Sequence, residues 1–141
     1  MIALFGMIGG FILFVLGILH FHWAVGGDFG FENSLPTNEE GVKVLNPKKR
    51  DSAVVGFGLC FFSILFLVKS SLITFQLPSI VLDYGLWLVI VIFSLRTIGD
   101  FKYIGMFKKV KNTPFADMDT KFYIPLCISL AIMGLMIEVL G

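Results

Sequence analysis

The chain has 141 residues, of which 57% are hydrophobic and only 15% charged, with a formal net charge of +1. A soluble domain usually carries about 25% charged residues, so this composition excludes a disordered chain, a nucleic-acid-binding domain and an ordinary soluble enzyme. It points instead to an integral membrane protein. A span needs roughly 20 apolar residues, and the apolar residues present are enough for four spans with little left over for a separate soluble domain.

The predicted architecture is all-α, a single four-helix membrane bundle over 1–141, with spans at about 2–21, 52–68, 79–97 and 121–140 and long loops at 22–51 and 98–120. Met1 to Leu19 is free of charge, and the first Lys or Arg is Lys43. A cleavable signal peptide would have a basic stretch at its start, so this run reads as the first span. In the first long loop, Thr37-Asn38-Glu39-Glu40 matches a capping box and predicts a short helix from about Asn38 to Leu45, ended by Asn46-Pro47. The second span starts at Asp51 or Ser52 as its N-cap. The fourth is capped by Asp119 or Thr120 and carries Pro125 in its first turns, where a missing N–H costs least.

Small residues mark the faces on which membrane helices approach each other. Gly6, Gly10 and Gly17 form such a stripe in the first span. Ala53, Gly56, Cys60 and Ser63 form one in the second, and Cys127, Ala131 and Gly134 one in the fourth. Packing within one chain is the expectation; a homodimer or a larger membrane complex would use the same glycines. The two cysteines, Cys60 and Cys127, form no C-x-x-C, which excludes a disulfide-relay enzyme.

Ten of the eleven Lys and Arg residues fall in the two long loops or at their edges, and Lys69 alone lies on the other side. The positive-inside rule therefore predicts cytosolic long loops, with both termini outside, in a multi-pass protein of a bacterial cell membrane.

Three polar groups are candidates for function. The first is His20-Phe21-His22-Trp23 with Asp28. Residues two apart on a helix point to nearly opposite sides, so His20 and His22 share a metal only if the chain is extended there. The expectation is an interfacial or ligand-binding cluster with no metal. The second is Arg96, Asp100 and Tyr103, which share a face if the third helix continues and would make Arg96 and Asp100 i,i+4 partners. Their guanidinium could hold a carboxylate or phosphate. From Phe101 to Lys111 aromatic and basic residues interleave. Lys102, Lys108, Lys109 and Lys111 are then expected to lie at the anionic inner leaflet on an amphipathic segment that meets lipid rather than nucleic acid. The third is Asp83 with Glu138, two acids near the outer ends of their spans and candidates for proton binding if both face the bundle.

Two segments carry a resemblance. They are Leu19-His20-Phe21-His22-Trp23-Ala24-Val25-Gly26-Gly27 with Leu35-Pro36-Thr37, and Arg96-Thr97-Ile98-Gly99-Asp100-Phe101-Lys102-Tyr103-Ile104-Gly105-Met106-Phe107-Lys108 with Asp119-Thr120-Lys121-Phe122-Tyr123-Ile124-Pro125. Together the chain resembles a family of small bacterial membrane proteins catalogued only as a domain of unknown function. The resemblance covers nearly the whole chain, and the family more often has Tyr where His22 stands. It implies four transmembrane helices and no known activity, cofactor or partner.

The leading functional expectation is a cytosol-facing polar pocket, lined by His20, Trp23, Arg96 and Asp100, for an anionic lipid headgroup or small carboxylate. The balance is against an enzyme, and no cofactor is expected. The alternatives are an inner-leaflet enzyme with His20 as acid/base and Asp100 orienting it, and a proton-coupled transporter or accessory subunit using Asp83 and Glu138.

Overall fold

A computed structural model describes residues 1–141. Four long helices account for most of the chain: α1 (Ile2–Ala24), α2 (Lys49–Lys69), α3 (Ser79–Ile98) and α4 (Pro114–Leu140). Each is long and apolar enough to cross a membrane. Only 30 of the 141 residues are buried, while Phe11, Phe14, Val54, Phe57, Ile80, Val91 and Val139 lie exposed on the outer faces. So much exposed apolar surface would aggregate in water, but it is what a bundle bathed in lipid presents.

The helices run alternately up and down. Gly6 of α1 faces Ser70 of α2, and Gly17 faces Gly56 and Cys60, so these two helices are antiparallel along their whole length. The stripes of small residues are used for this contact. A Cβ on Gly17 would lie 2.7 Å from Cys60 Sγ, and one on Gly10 3.1 Å from the Leu67 side chain. Ser63 uses the close approach to donate to the Gly10 carbonyl at 2.6 Å. Helix α3 lies along α4, and Leu13, Leu65, Phe66, Leu86, Val89, Leu130 and Ile137 fill the centre.

Helix α2 begins at Lys49, three residues earlier than expected. The Asp51 carboxylate accepts from the Lys48 N–H at 2.9 Å and satisfies one of the donors left free at a helix start. Helix α4 begins at Pro114, well before the expected cap at Asp119 or Thr120. Thr113 is the cap: its hydroxyl accepts from the Ala116 N–H at 3.0 Å, and Pro114 follows at the first helical position. A turn of π-helix at Asp119–Tyr123 then inserts one extra residue before α4 resumes its ordinary winding.

The short helix expected from Asn38 to Leu45 is absent. The Asn38 side chain accepts from the N–H groups of Glu40 and Val42, at 3.0 and 2.8 Å, and Gly41 adopts a positive φ of 83°. An asparagine that takes up two backbone donors in this way builds a turn in place of a helix. The turn brings Thr37 and Lys43 into an antiparallel bridge, and a single 3-10 turn precedes it at Glu32–Ser34. Both long loops lie at one end of the bundle, the long-loop pole; the chain ends and the short α2–α3 connection lie at the other, the terminal pole.

Candidate functional site

At the long-loop pole α3 stops at Ile98, earlier than the continuation that would align Arg96, Asp100 and Tyr103. Gly99 leaves the helix with φ of 81°, and Gly105 returns with φ of 90°. The two strands of this loop cross backbone to backbone. A Cβ on Gly99 would run into the Ile104 carbonyl, and one on Gly105 into the Ile98 carbonyl. Met106 then donates to the Thr97 carbonyl at 2.8 Å and closes the loop.

Asp100 does not pair with Arg96. Its Oδ1 accepts from the N–H groups of Lys102, Tyr103 and Ile104, at 2.9, 2.8 and 3.0 Å. Partial burial pushes its pKa up, but these amide donors together outweigh that effect and hold the carboxyl below its ordinary value. Asp100 thus shapes the loop, and its carboxylate is already taken.

The partner of Arg96 is Asp119, completely buried inside the π-turn. Arg96 Nη2 donates to Asp119 Oδ1 at 2.9 Å. Oδ2 accepts from the Gly105 N–H at 2.9 Å and from Lys108 Nζ at 3.3 Å. Lys108 also donates to the Thr120 hydroxyl at 2.7 Å and to the Gly105 carbonyl at 3.3 Å. One carboxylate therefore ties α3, the second long loop and α4 together. Isolated, it would cost several kcal/mol to bury; two cations and a backbone amide offset that cost. Two positive charges against one negative leave the cluster cationic, and Arg96 Nη1 is buried with no partner. The guanidinium also lies over the Phe115 ring, 6.0 Å from its centre.

Lys108 is consequently directed inward and buried, away from the surface position expected of it. The segment Phe101 to Lys111 is a series of turns, not an amphipathic helix. Lys102, Lys109 and Lys111 are exposed, and Lys102 stands over the Tyr103 ring at 5.1 Å. Between this loop and α4 opens a groove of about 440 Å³, lined by Lys108, Lys111, Lys121, Thr120, Asp117 and the apolar Ile124, among others. By sequence, Lys121 counts only as one of the ten basic residues in or beside the long loops, and Asp119 only as a candidate cap. The usable signal was Thr113-Pro114, which starts α4 early enough to place Asp119 inside it.

The first-loop cluster has its own role. His20 Nδ1 lies 2.7 Å from the Leu16 carbonyl, which can only accept, so the ring proton is on Nδ1. The His20 ring meets Trp23 edge-on at 4.7 Å, Trp23 Nε1 donates to the Phe29 carbonyl at 2.7 Å, and Trp23 packs on Phe31. Tyr123 of α4 reaches the Asn33 carbonyl, joining the first loop to the same helix as Asp119. His22 and Asp28 are exposed, the His22 ring lying against Gly27. No hydrogen bond or ion pair joins His20 or Trp23 to Arg96 or Asp100. No group of three or more His, Cys, Asp and Glu side chains is placed to hold a metal ion.

At the terminal pole Glu138 faces inward and pairs with Lys69. Lys69 Nζ donates to Glu138 Oε1 at 3.2 Å, stands 3.1 Å from Oε2 and donates to the Leu82 carbonyl at 3.0 Å. Asp83 is exposed and lies on the outer side of α3, so the structure does not bring the two acids together.

No curated protein and no solved structure matches the chain. Residues 13–134 match a family model described as a protein of unknown function, DUF3995. That segment contains the second half of α1, all of α2 and α3, most of α4, the crossed loop at Gly99 and Gly105 and the whole Asp119 cluster, and the chain belongs to this family.

Proposed function

We propose that the chain is a membrane-embedded binding protein that holds an anionic ligand, a lipid headgroup or small carboxylate, at the cytosolic edge of the bilayer. The observation that carries this is the groove beside the Asp119 cluster, in which Lys108, Lys111 and Lys121 converge on one side of the second long loop. Arg96 and Asp100 are engaged with protein groups. Direct contacts with the ligand therefore pass to the two exposed lysines and Thr120, while Arg96 and Lys108 supply a fixed positive field from below. The pocket differs in its lining from the one expected around His20 and Trp23, which here brace the first loop.

The test is ligand binding to detergent-purified protein, followed by native mass spectrometry and thermal unfolding. Phosphatidylglycerol or lactate should raise the melting temperature, and phosphatidylcholine should not. A cation near the bilayer surface contributes about 1 kcal/mol to anion binding, so Lys111→Gln with Lys121→Gln should weaken it about tenfold to thirtyfold. Equal binding of anionic and zwitterionic ligands, or an unchanged double variant, would sink the reading.

A further inference from the structure

We infer that the groove is built for a dianion, specifically the terminal phosphate of a phosphomonoester, over the single charge of a carboxylate or phosphodiester. This rests on the anion-binding reading just given. In the groove and the cluster at its floor, four cations, Arg96, Lys108, Lys111 and Lys121, face two carboxylates, Asp117 and Asp119. Two positive charges are left over. A phosphomonoester near neutral pH carries about −1.5 to −2, which matches them; a diester or carboxylate carries half as much and leaves one cation without a counter-charge.

The donors match as well. All three protons of the Lys108 ammonium are committed, to Asp119, Thr120 and the Gly105 carbonyl. Lys108 thus provides charge without a free hydrogen bond. Because the Thr120 oxygen accepts from Lys108, its own proton points elsewhere, and Thr120 is exposed toward the groove. Lys111 and Lys121 are exposed and form no ion pair within the chain. Two ammonium groups and one hydroxyl offer enough donors for the three terminal oxygens of a monoester, whereas a diester has only two such oxygens. The floor is rigid before the ligand arrives, since Asp119 already holds Lys108 in place; little ordering cost remains to be met on binding.

The monoester can be carried by a lipid or be free in solution. Met106, Ala116 and Ile124 give the groove an apolar wall beside its charged one, against which acyl chains could lie.

The experiment pairs each monoester with its diester on the full chain. In nanodiscs, phosphatidic acid is compared with phosphatidylglycerol; in detergent solution, glycerol 3-phosphate is compared with dimethyl phosphate. The expected result is at least a tenfold preference for the monoester in one pair, lost in Lys111→Gln with Lys121→Gln, whose exposed side chains leave the buried cluster intact. Preference in the lipid pair assigns a lipid source, and preference confined to the soluble pair assigns a free phosphate ester. Equal affinity for monoester and diester in both pairs overturns the inference but leaves the anion-binding reading standing. Absence of anion binding in all four cases overturns both.

Discussion

Asp119 carries a full negative charge to a position with no solvent exposure, and everything around it answers that charge. Replacing it with Asn would keep the shape but leave Arg96 and Lys108 repelling each other without a counter-ion. Losing one partner of a buried ionic group typically costs about 3–5 kcal/mol. Asp119→Asn should therefore lower the melting temperature sharply in detergent, and more than Asp117→Asn, whose carboxylate is exposed. Comparable effects of the two substitutions would mean that the cluster contributes little to the fold. Residue identities alone made this hard to see. Arg96 and Asp119 are 23 positions apart, and no periodic pattern links an acid at a helix start to an arginine at the end of the preceding helix. Asp100, only four positions from Arg96, was the more visible partner, yet its carboxylate is occupied by three loop amides.

Among the elements, the four spans and their small-residue stripes were legible because lipid imposes a length and a composition that few other environments require. Gly10, Gly17, Gly56 and Ser63 lie where α1 and α2 touch. What escaped was local and depended on hydrogen bonding: the Asn38 turn that replaces a helix, and the π-turn that no hydropathy pattern reveals. The glycine contact gives a clean comparison within one helix pair. Gly17→Val would press a side chain into Cys60 and Gly56, while a Cβ at Gly58 meets nothing within 4 Å. Overpacking costs about 1–3 kcal/mol, so Gly17→Val should destabilise by that amount and Gly58→Val by much less. Unfolding measured by steric trapping or thermal aggregation would decide it. Equal losses would show that something other than the α1–α2 approach is being sensed, since helix propensity alone favours Val over Gly.

On the scale of the molecule, the two poles differ in kind. The long-loop pole gathers ten of the eleven Lys and Arg residues, and the terminal pole retains only Lys69, neutralised by Glu138. A membrane with a cytosolic excess of anionic lipid should therefore orient the bundle with its long loops inside. In a Cys60→Ala, Cys127→Ala background, Thr74→Cys should react with a membrane-impermeant thiol reagent on intact cells, and Glu40→Cys only after lysis. The reverse pattern would invert the orientation and place the phosphomonoester groove on the outside.

The crossing of Gly99 over Gly105 has a consequence for paired substitutions. Each glycine is required by the carbonyl that borders the other, Ile104 for Gly99 and Ile98 for Gly105, so a side chain at either position opens the same crossing. Once the crossing has opened, the second glycine no longer has a close neighbour to avoid. The two positions are then coupled: the cost of opening the crossing is shared, each substitution keeps the strain of its own positive φ, and effects measured singly overstate the pair. Losing either glycine opens the crossing, and with it the loop that delivers Lys108 to Asp119.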